Sequence, residues 1–196
     1  DPGGNRLTKT TASGTATSTF DAANQVTTIL SGGVTTTCTH DAKGNLTSEN
    51  VGGTRTTYTW NDHAELISQT DPLNNTLHYT YDDWGQIIEV VAQAAGQSLD
   101  NAKKNSTRYE YTLTGLIAKV TNADNQITAF EYNENDQLTK YTDTNGRTTQ
   151  YFYEDKLRQP TKRIDPAGQV IQYQYDTERN LTALINENGD THQFFY

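Results

Sequence analysis

The chain has 196 residues, with 15 Lys or Arg against 24 Asp or Glu and a formal net charge of −9. Only 33% of the residues are hydrophobic while 10% are aromatic, which excludes a thick two-sided core and equally excludes disorder, a state poor in aromatics. A sequence pI near 4.8 excludes nucleic-acid binding through clustered basic residues, no apolar run reaches the ~18 residues of a membrane helix, and the single cysteine, Cys38, excludes a disulfide framework or a Cys-based zinc site.

The chain opens at Asp1 and holds no Met, which reads as a slice of a longer protein. From there a short pattern recurs: an aromatic residue followed by an acid or amide. It runs through Phe20-Asp21, His40-Asp41, Trp60-Asn61, Tyr81-Asp82, Tyr132-Asn133, Tyr153-Glu154 and Tyr175-Asp176. Tyr111-Thr112 fits with the acid lost, and Asp1 and Tyr196 are half-pairs at the ends. The spacing divides the chain into nine copies, 1–20, 21–40, 41–60, 61–81, 82–111, 112–132, 133–153, 154–175 and 176–196. Internal repetition of this kind dictates the architecture.

Each copy carries the same predicted elements in the same order. A polar turn opens on the acid, as in Asp41-Ala42-Lys43-Gly44-Asn45, Asp82-Asp83-Trp84-Gly85-Gln86 and Asp176-Thr177-Glu178-Arg179-Asn180. Asp or Asn bonds the backbone two residues on, and a residue such as Gly44 or Gly85 supplies positive φ. A short strand follows, then a second turn. In the first three copies that turn is small: Ser13-Gly14, Gly32-Gly33 and Gly52-Gly53. From residue 70 it lengthens, as in Asp71–Asn75, Asp143–Gly146, Asp165–Gly168 and Asn186–Gly189. The closing strand alternates aromatics, such as Tyr79 with Tyr81 and Tyr173 with Tyr175, which places them on one face. The pattern predicts an all-β, antiparallel meander array of about 16–20 short strands, including strands near 76–82, 128–133, 149–154 and 171–176. One copy carries about nine extra residues over 92–106. This Ala- and Asn-rich stretch is expected to project as a loop, with a helical turn at 98–104.

The pattern Tyr-Asp-x-x-Gly-Asn/Gln-Leu, then Asp-Pro-x-Gly, then Tyr-x-Tyr is carried here by Asp41–Leu46, Asp165–Gly168 and Tyr173–Asp176. It resembles the RHS or YD repeat over essentially the whole chain. That family includes bacterial RHS and wall-associated polymorphic toxins, the cocoon components of insecticidal Tc toxins, and animal teneurins. The resemblance implies a β-ribbon spiralling into a hollow shell, which in the toxins encloses a cytotoxic C-terminal domain, and it implies a secreted or cell-surface location. The cluster of Asp-Pro-x-Gly motifs around a self-cleavage site in such shells is missing from this stretch, because Asp1-Pro2, Asp71-Pro72 and Asp165-Pro166 sit in repeat turns.

No side chains converge on a catalytic or metal pattern. His40, His63, His78 and His192 show no His-x-x-x-His spacing, and Asp143–Gly146 and Asn186–Asp190 look like calcium loops only faintly, lacking the terminal Glu. No cofactor is expected. The repeat-defining positions are Phe20, Asp21, Asp41, Gly44, Trp60, Tyr81, Asp82, Gly85, Tyr111, Tyr132, Tyr153, Tyr175 and Asp176. The aromatics read as packing in place of a core. The expected role is a non-catalytic shell segment whose partners are flanking repeats and an enclosed C-terminal domain. The alternative is a surface module binding glycans or a partner protein through the aromatic face or the 92–106 loop. Cut from its neighbours, such a segment is expected to self-associate through strand edges.

Overall fold

The structure, a computed structural model, describes residues 3–12, 14–154 and 158–196. The first two residues of the expected Asp1–Gly4 turn, half of the Ser13-Gly14 turn and residues 155–157 lie outside the described residues. The chain is all-β and divides into two compact units, Asp1–Ser106 and Thr107–Tyr196.

In the first unit nine strands follow one another as an antiparallel meander: β1 (Thr8–Thr11), β2 (Gly14–Phe20), β3 (Val26–Ser31), β4 (Val34–His40), β5 (Leu46–Val51), β6 (Thr54–Trp60), β7 (Leu66–Thr70), β8 (Thr76–Tyr81) and β9 (Ile87–Gln93). Each strand pairs with the next in sequence. The second unit repeats the plan with β10 (Thr107–Tyr111), β11 (Ile117–Thr121), β12 (Ile127–Tyr132), β13 (Leu138–Thr142), β14 (Thr148–Phe152), β15 (Lys162–Ile164), β16 (Val170–Tyr175), β17 (Leu181–Asn186) and β18 (Thr191–Gln193). The strands expected near 76–82, 128–133, 149–154 and 171–176 are β8, β12, β14 and β16.

The two turn types have the backbone that their residues dictate. Gly32 and Gly33 at φ 57° and 78°, and Gly52 and Gly53 at 58° and 98°, give two-residue hairpins of the primed kind that matches strand twist. The longer turns are five-residue loops closed by a double backbone bond. In Asp41–Asn45 the Asp41 N–H donates to the Asn45 carbonyl at 2.9 Å and the Gly44 N–H donates to the Asp41 carbonyl at 3.1 Å. The same pair of bonds closes loops beginning at Asp21, Asn61, Asp71, Asp82, Thr112, Asn122, Asn133, Asp143, Asp165, Asp176 and Asn186. The fourth residue must take positive φ. Gly does so freely, but Ala64, Asp136 and Arg179 do so at 60°, 59° and 70°, a strained choice for a side chain with a Cβ.

The high Thr content has a direct use. Thr19 bonds both Thr27 and Thr28, at 2.8 and 2.6 Å, and Thr39 bonds both Thr47 and Ser48, at 2.9 and 2.8 Å. Cross-strand hydroxyl pairs of this kind stabilise a sheet without apolar volume. Burial is correspondingly thin. Among the described residues the buried apolar side chains are Val91, Ala102 and Ala183.

The insertion has the expected helical turn but differs from the expectation in how it lies. Strand β9 runs through Gln93, so residues 92 and 93 belong to the sheet. A short helix, α1 (Leu99–Lys103), follows, capped by the Ser98 hydroxyl, which accepts from the Asn101 N–H. It does not project as a loop but folds back on β9. Ala102 is 1% exposed and Val91 2%, and the Ser106 hydroxyl donates to Glu89 Oε1 at 2.6 Å. The small side chain of Ala102 allows this approach, which buries Val91. Since Val91 opposes His78 while Tyr79 opposes Val90, α1 sits on the face opposite Tyr79.

Candidate functional site: a repeating loop clasp

The repeat-defining residues come together at one end of each copy. The aromatic slots end β2 (Phe20), β4 (His40), β6 (Trp60), β8 (Tyr81), β10 (Tyr111), β12 (Tyr132) and β16 (Tyr175), while Tyr153 lies just past β14. At seven of these positions the pairing with the following strand shifts by one residue, for example between Thr80 and Tyr81. On the other side of the same strand the ladder stops short. The β7–β8 register ends at Ser68 opposite His78, leaving the Leu66 carbonyl beyond it.

The aromatic tip fills that gap. The Tyr81 hydroxyl donates to the Leu66 carbonyl at 2.8 Å, Tyr132 to Ile117 at 2.9 Å, Tyr153 to Leu138 at 2.8 Å and Tyr175 to Pro160 at 2.9 Å. Trp60 does the same with its indole N–H, reaching the Leu46 carbonyl at 2.7 Å. The ring closes the splayed end of the hairpin and its polar tip replaces a ladder bond. Burial pushes up the hydroxyl pKa of Tyr81, Tyr132, Tyr153 and Tyr175, which keeps them as donors. Phe20 has no donor, and sequence reading, which treated all the aromatics as packing, missed this role. The signal was there in the preference for Tyr and Trp over Phe.

The acid beside each slot is spent on its own loop. Asp41 Oδ1 accepts from the N–H groups of Lys43 and Asn45 at 2.8 and 2.9 Å, and Oδ2 accepts from Asn45 Nδ2 at 2.9 Å. Asp21, Asp82 and Asp176 accept the same two backbone bonds. The first and fifth loop residues are chosen to fit each other. In four loops that open on Asp, the fifth residue donates to it: Asn45, Asn75, Arg147 and Asn180. Where the first is Asn, the fifth is an acceptor: Glu65, Gln126, Gln137 or Asp190. Neighbouring loops also meet. Lys43 Nζ pairs with Asp62 Oδ1 at 2.9 Å, Thr114 donates to Asp136 at 2.7 Å, and a Cβ at Gly85 would lie 3.0 Å from Glu65 Oε1.

These bonds hold the carboxyls of Asp41, Asp71 and Asp176 below the ordinary value of 3.8, chiefly through Asn45, Asn75 and Asn180. A depressed folded pKa means that the unfolded chain binds protons first as pH falls, so stability from these loops is complete above the ordinary value and drains away below it. The expected melting temperature is flat from pH 7 to about 5 and drops below pH 3.8. Replacing all three by Asn, which retains the Oδ1 acceptor, should flatten that acid limb in a thermal melt followed by circular dichroism. An unchanged limb would mean that other groups set it.

The remaining chemistry-bearing residues are dispersed. His78 bonds Gln93 at 2.7 Å, His192 stacks edge-on with Phe194 at 4.9 Å, and His40 and His63 lie two copies apart. Cys38 is half-buried on β4, its thiol pKa raised by burial and then by Glu49. The calcium-like loop at Asp143 has its carboxylate bound to two backbone N–H groups and to Arg147.

A meander of clasped, loop-closed copies defines the class of YD-repeat proteins. The Teneurin YD-shell family model matches residues 19–196, and the chain belongs to that family. No curated protein sequence matches it. Among solved structures it is similar to TcdB2-TccC3 without its hypervariable C-terminal region, with a TM-score of 0.59 and 15% identity, covering 94% of this chain and 12% of that one. It is also similar to TcdB2-TccC3-Cdc42, with a TM-score of 0.58 and 14% identity over the same shares, and to the Tc holotoxin pore of Photorhabdus luminescens carrying TccC3-D651A, with a TM-score of 0.56, 15% identity and the same shares again. The chain thus spans about one eighth of the length of these structures, and the likeness is one of fold.

Proposed function

We propose that this chain is a non-catalytic wall segment of a YD-repeat shell that encloses or presents a C-terminal toxin or effector domain in an exported bacterial protein. The observation that carries this reading is that Asp21, Asp41, Asp82, Asp176 and the hydroxyls of Tyr81, Tyr132, Tyr153 and Tyr175 are consumed within the wall. The acids close their own loops and the Tyr hydroxyls bond main-chain carbonyls, so none of them is left to act on a substrate. The thin burial of each unit supports the same reading, because a sheet with so little core gains from neighbours on its faces and edges. Likeness to TcdB2-TccC3, whose C-terminal region is hypervariable, supports an enclosed partner domain. Strands β1 and β18 are exposed along their whole length, which supports pairing with flanking repeats, and self-association when those are removed.

The test uses the parent protein with its own flanking sequence. Limited proteolysis should leave a domain downstream of the array intact while the wall is whole. Deleting copies 133–153 and 154–175 together should expose that domain to cleavage. Equal protection with and without those copies would refute the enclosing role.

A further inference from the structure

Trp84 is the one large aromatic in a loop that the clasp does not use. It is the third residue of the Asp82–Gln86 loop, a position filled elsewhere by Ala23, Lys43, Leu73 and Asn145, so loop geometry does not demand an aromatic. Its ring is 84% exposed, and its indole N–H has no hydrogen-bond partner among the described residues. It borders a groove of about 700 Å3 on the Tyr79 face of the first unit, lined also by His63, Glu65, Tyr79, Asp82 and Asp83.

The groove is strongly acidic. Glu65, Asp82 and Asp83 line it, and no Lys or Arg does. Lys43 pairs with Asp62, and neither lines the groove; Glu65 and Asp83 have no basic partner among the described residues. Glu65 Oε2 accepts from Asn61 at 2.6 Å, which fixes the carboxylate at the groove wall with its charge uncompensated. An exposed indole beside unpaired carboxylates is the arrangement that attracts a guanidinium, which stacks flat on the ring and donates paired hydrogen bonds to the acid. A neutral ligand would use the indole but gain nothing from the uncompensated charge.

We propose that this groove docks an extended, arginine-bearing segment of a partner protein, with one guanidinium stacked on Trp84 beside Asp83 and a second facing Glu65. The site lies within the first unit and does not depend on what the shell encloses.

The test titrates the full chain with a capped tetra-arginine peptide, followed by calorimetry at low and at physiological salt. The expected result is saturable binding that weakens as salt rises. Trp84→Ala should weaken it about fivefold and Trp84→Phe only slightly, while Asp83→Asn weakens it about threefold. Asp124→Asn, which removes an exposed acid of the second unit, should leave it unchanged. Trp84 is exposed, so thermal melts should show each variant folded. Three results would each overturn the proposal: affinity indifferent to Trp84→Ala, Asp124→Asn weakening binding as much as Asp83→Asn, or maltohexaose binding through Trp84 where the peptide does not.

Discussion

Tyr153→Phe should lower the stability of the chain by about 1 kcal/mol, the usual net worth of one hydrogen bond, and Tyr153→Ala by about 3 kcal/mol, near the low end for removing a buried aromatic ring. The β13–β14 register ends at Lys140 opposite Gln150, so Leu138 lies beyond the ladder with β14 and its carbonyl takes the Tyr153 hydroxyl at 2.8 Å. Phe retains the ring and loses only this bond. The carbonyl then turns to water, because the site is half-exposed, and this keeps the cost near 1 kcal/mol rather than at the full desolvation penalty. Ala also removes the ring, and the open end of the hairpin loses its cover. Chemical denaturation of the three proteins measures both steps. A Phe variant as stable as the parent would show that the clasp is packing alone.

The second large effect concerns the fourth loop position, where Gly85 and Ala64 occupy equivalent places at φ 79° and 60°. Left-handed backbone costs a residue with a Cβ about 1–2 kcal/mol, while Gly costs about 0.4–1 kcal/mol through the freedom it adds to the unfolded chain. The strain exceeds the entropy. Gly85→Ala should therefore destabilise by about 1 kcal/mol, with a further contribution from its new methyl 3.0 Å from Glu65 Oε1. Ala64→Gly should stabilise by about 0.5–1 kcal/mol. The two changes run in opposite directions at the same structural position, so a global effect of mutation cannot imitate them. Ala64→Gly that lowers the melting temperature would contradict the account.

Much of this molecule is legible in one dimension because the repeat is local. Most loops declare themselves by an acid or amide followed by Gly or Asn, and the closing strands from β6 onward by alternate aromatics, so strand order and antiparallel pairing follow without long-range information. Three things were not legible. The hydroxyl of Tyr81 or Tyr153 bonds a carbonyl 15 residues earlier, and nothing in periodicity distinguishes a ring that packs from a ring that also donates. Ala64, Asp136 and Arg179 show no sign in sequence of left-handed backbone, because the loop imposes it on them. The insertion reads as polar and loop-like, yet Ala102 and Ser106 carry it onto β9, since two small side chains in the right places outweigh an unpromising composition.

The fit between the first and fifth loop residues has a consequence for how such an array changes over time. Asp with Asn, or Asn with Glu, leaves a loop with one negative charge. Asn with Gln, or Asp with Arg, leaves it neutral. All four combinations occur here, at Asp41 with Asn45, Asn61 with Glu65, Asn122 with Gln126 and Asp143 with Arg147, and all close the same backbone bonds. The electrostatic potential along the loop edge can therefore be rewritten copy by copy, by paired substitutions that leave the backbone where it was. Such an array can drift in charge while its architecture stands still.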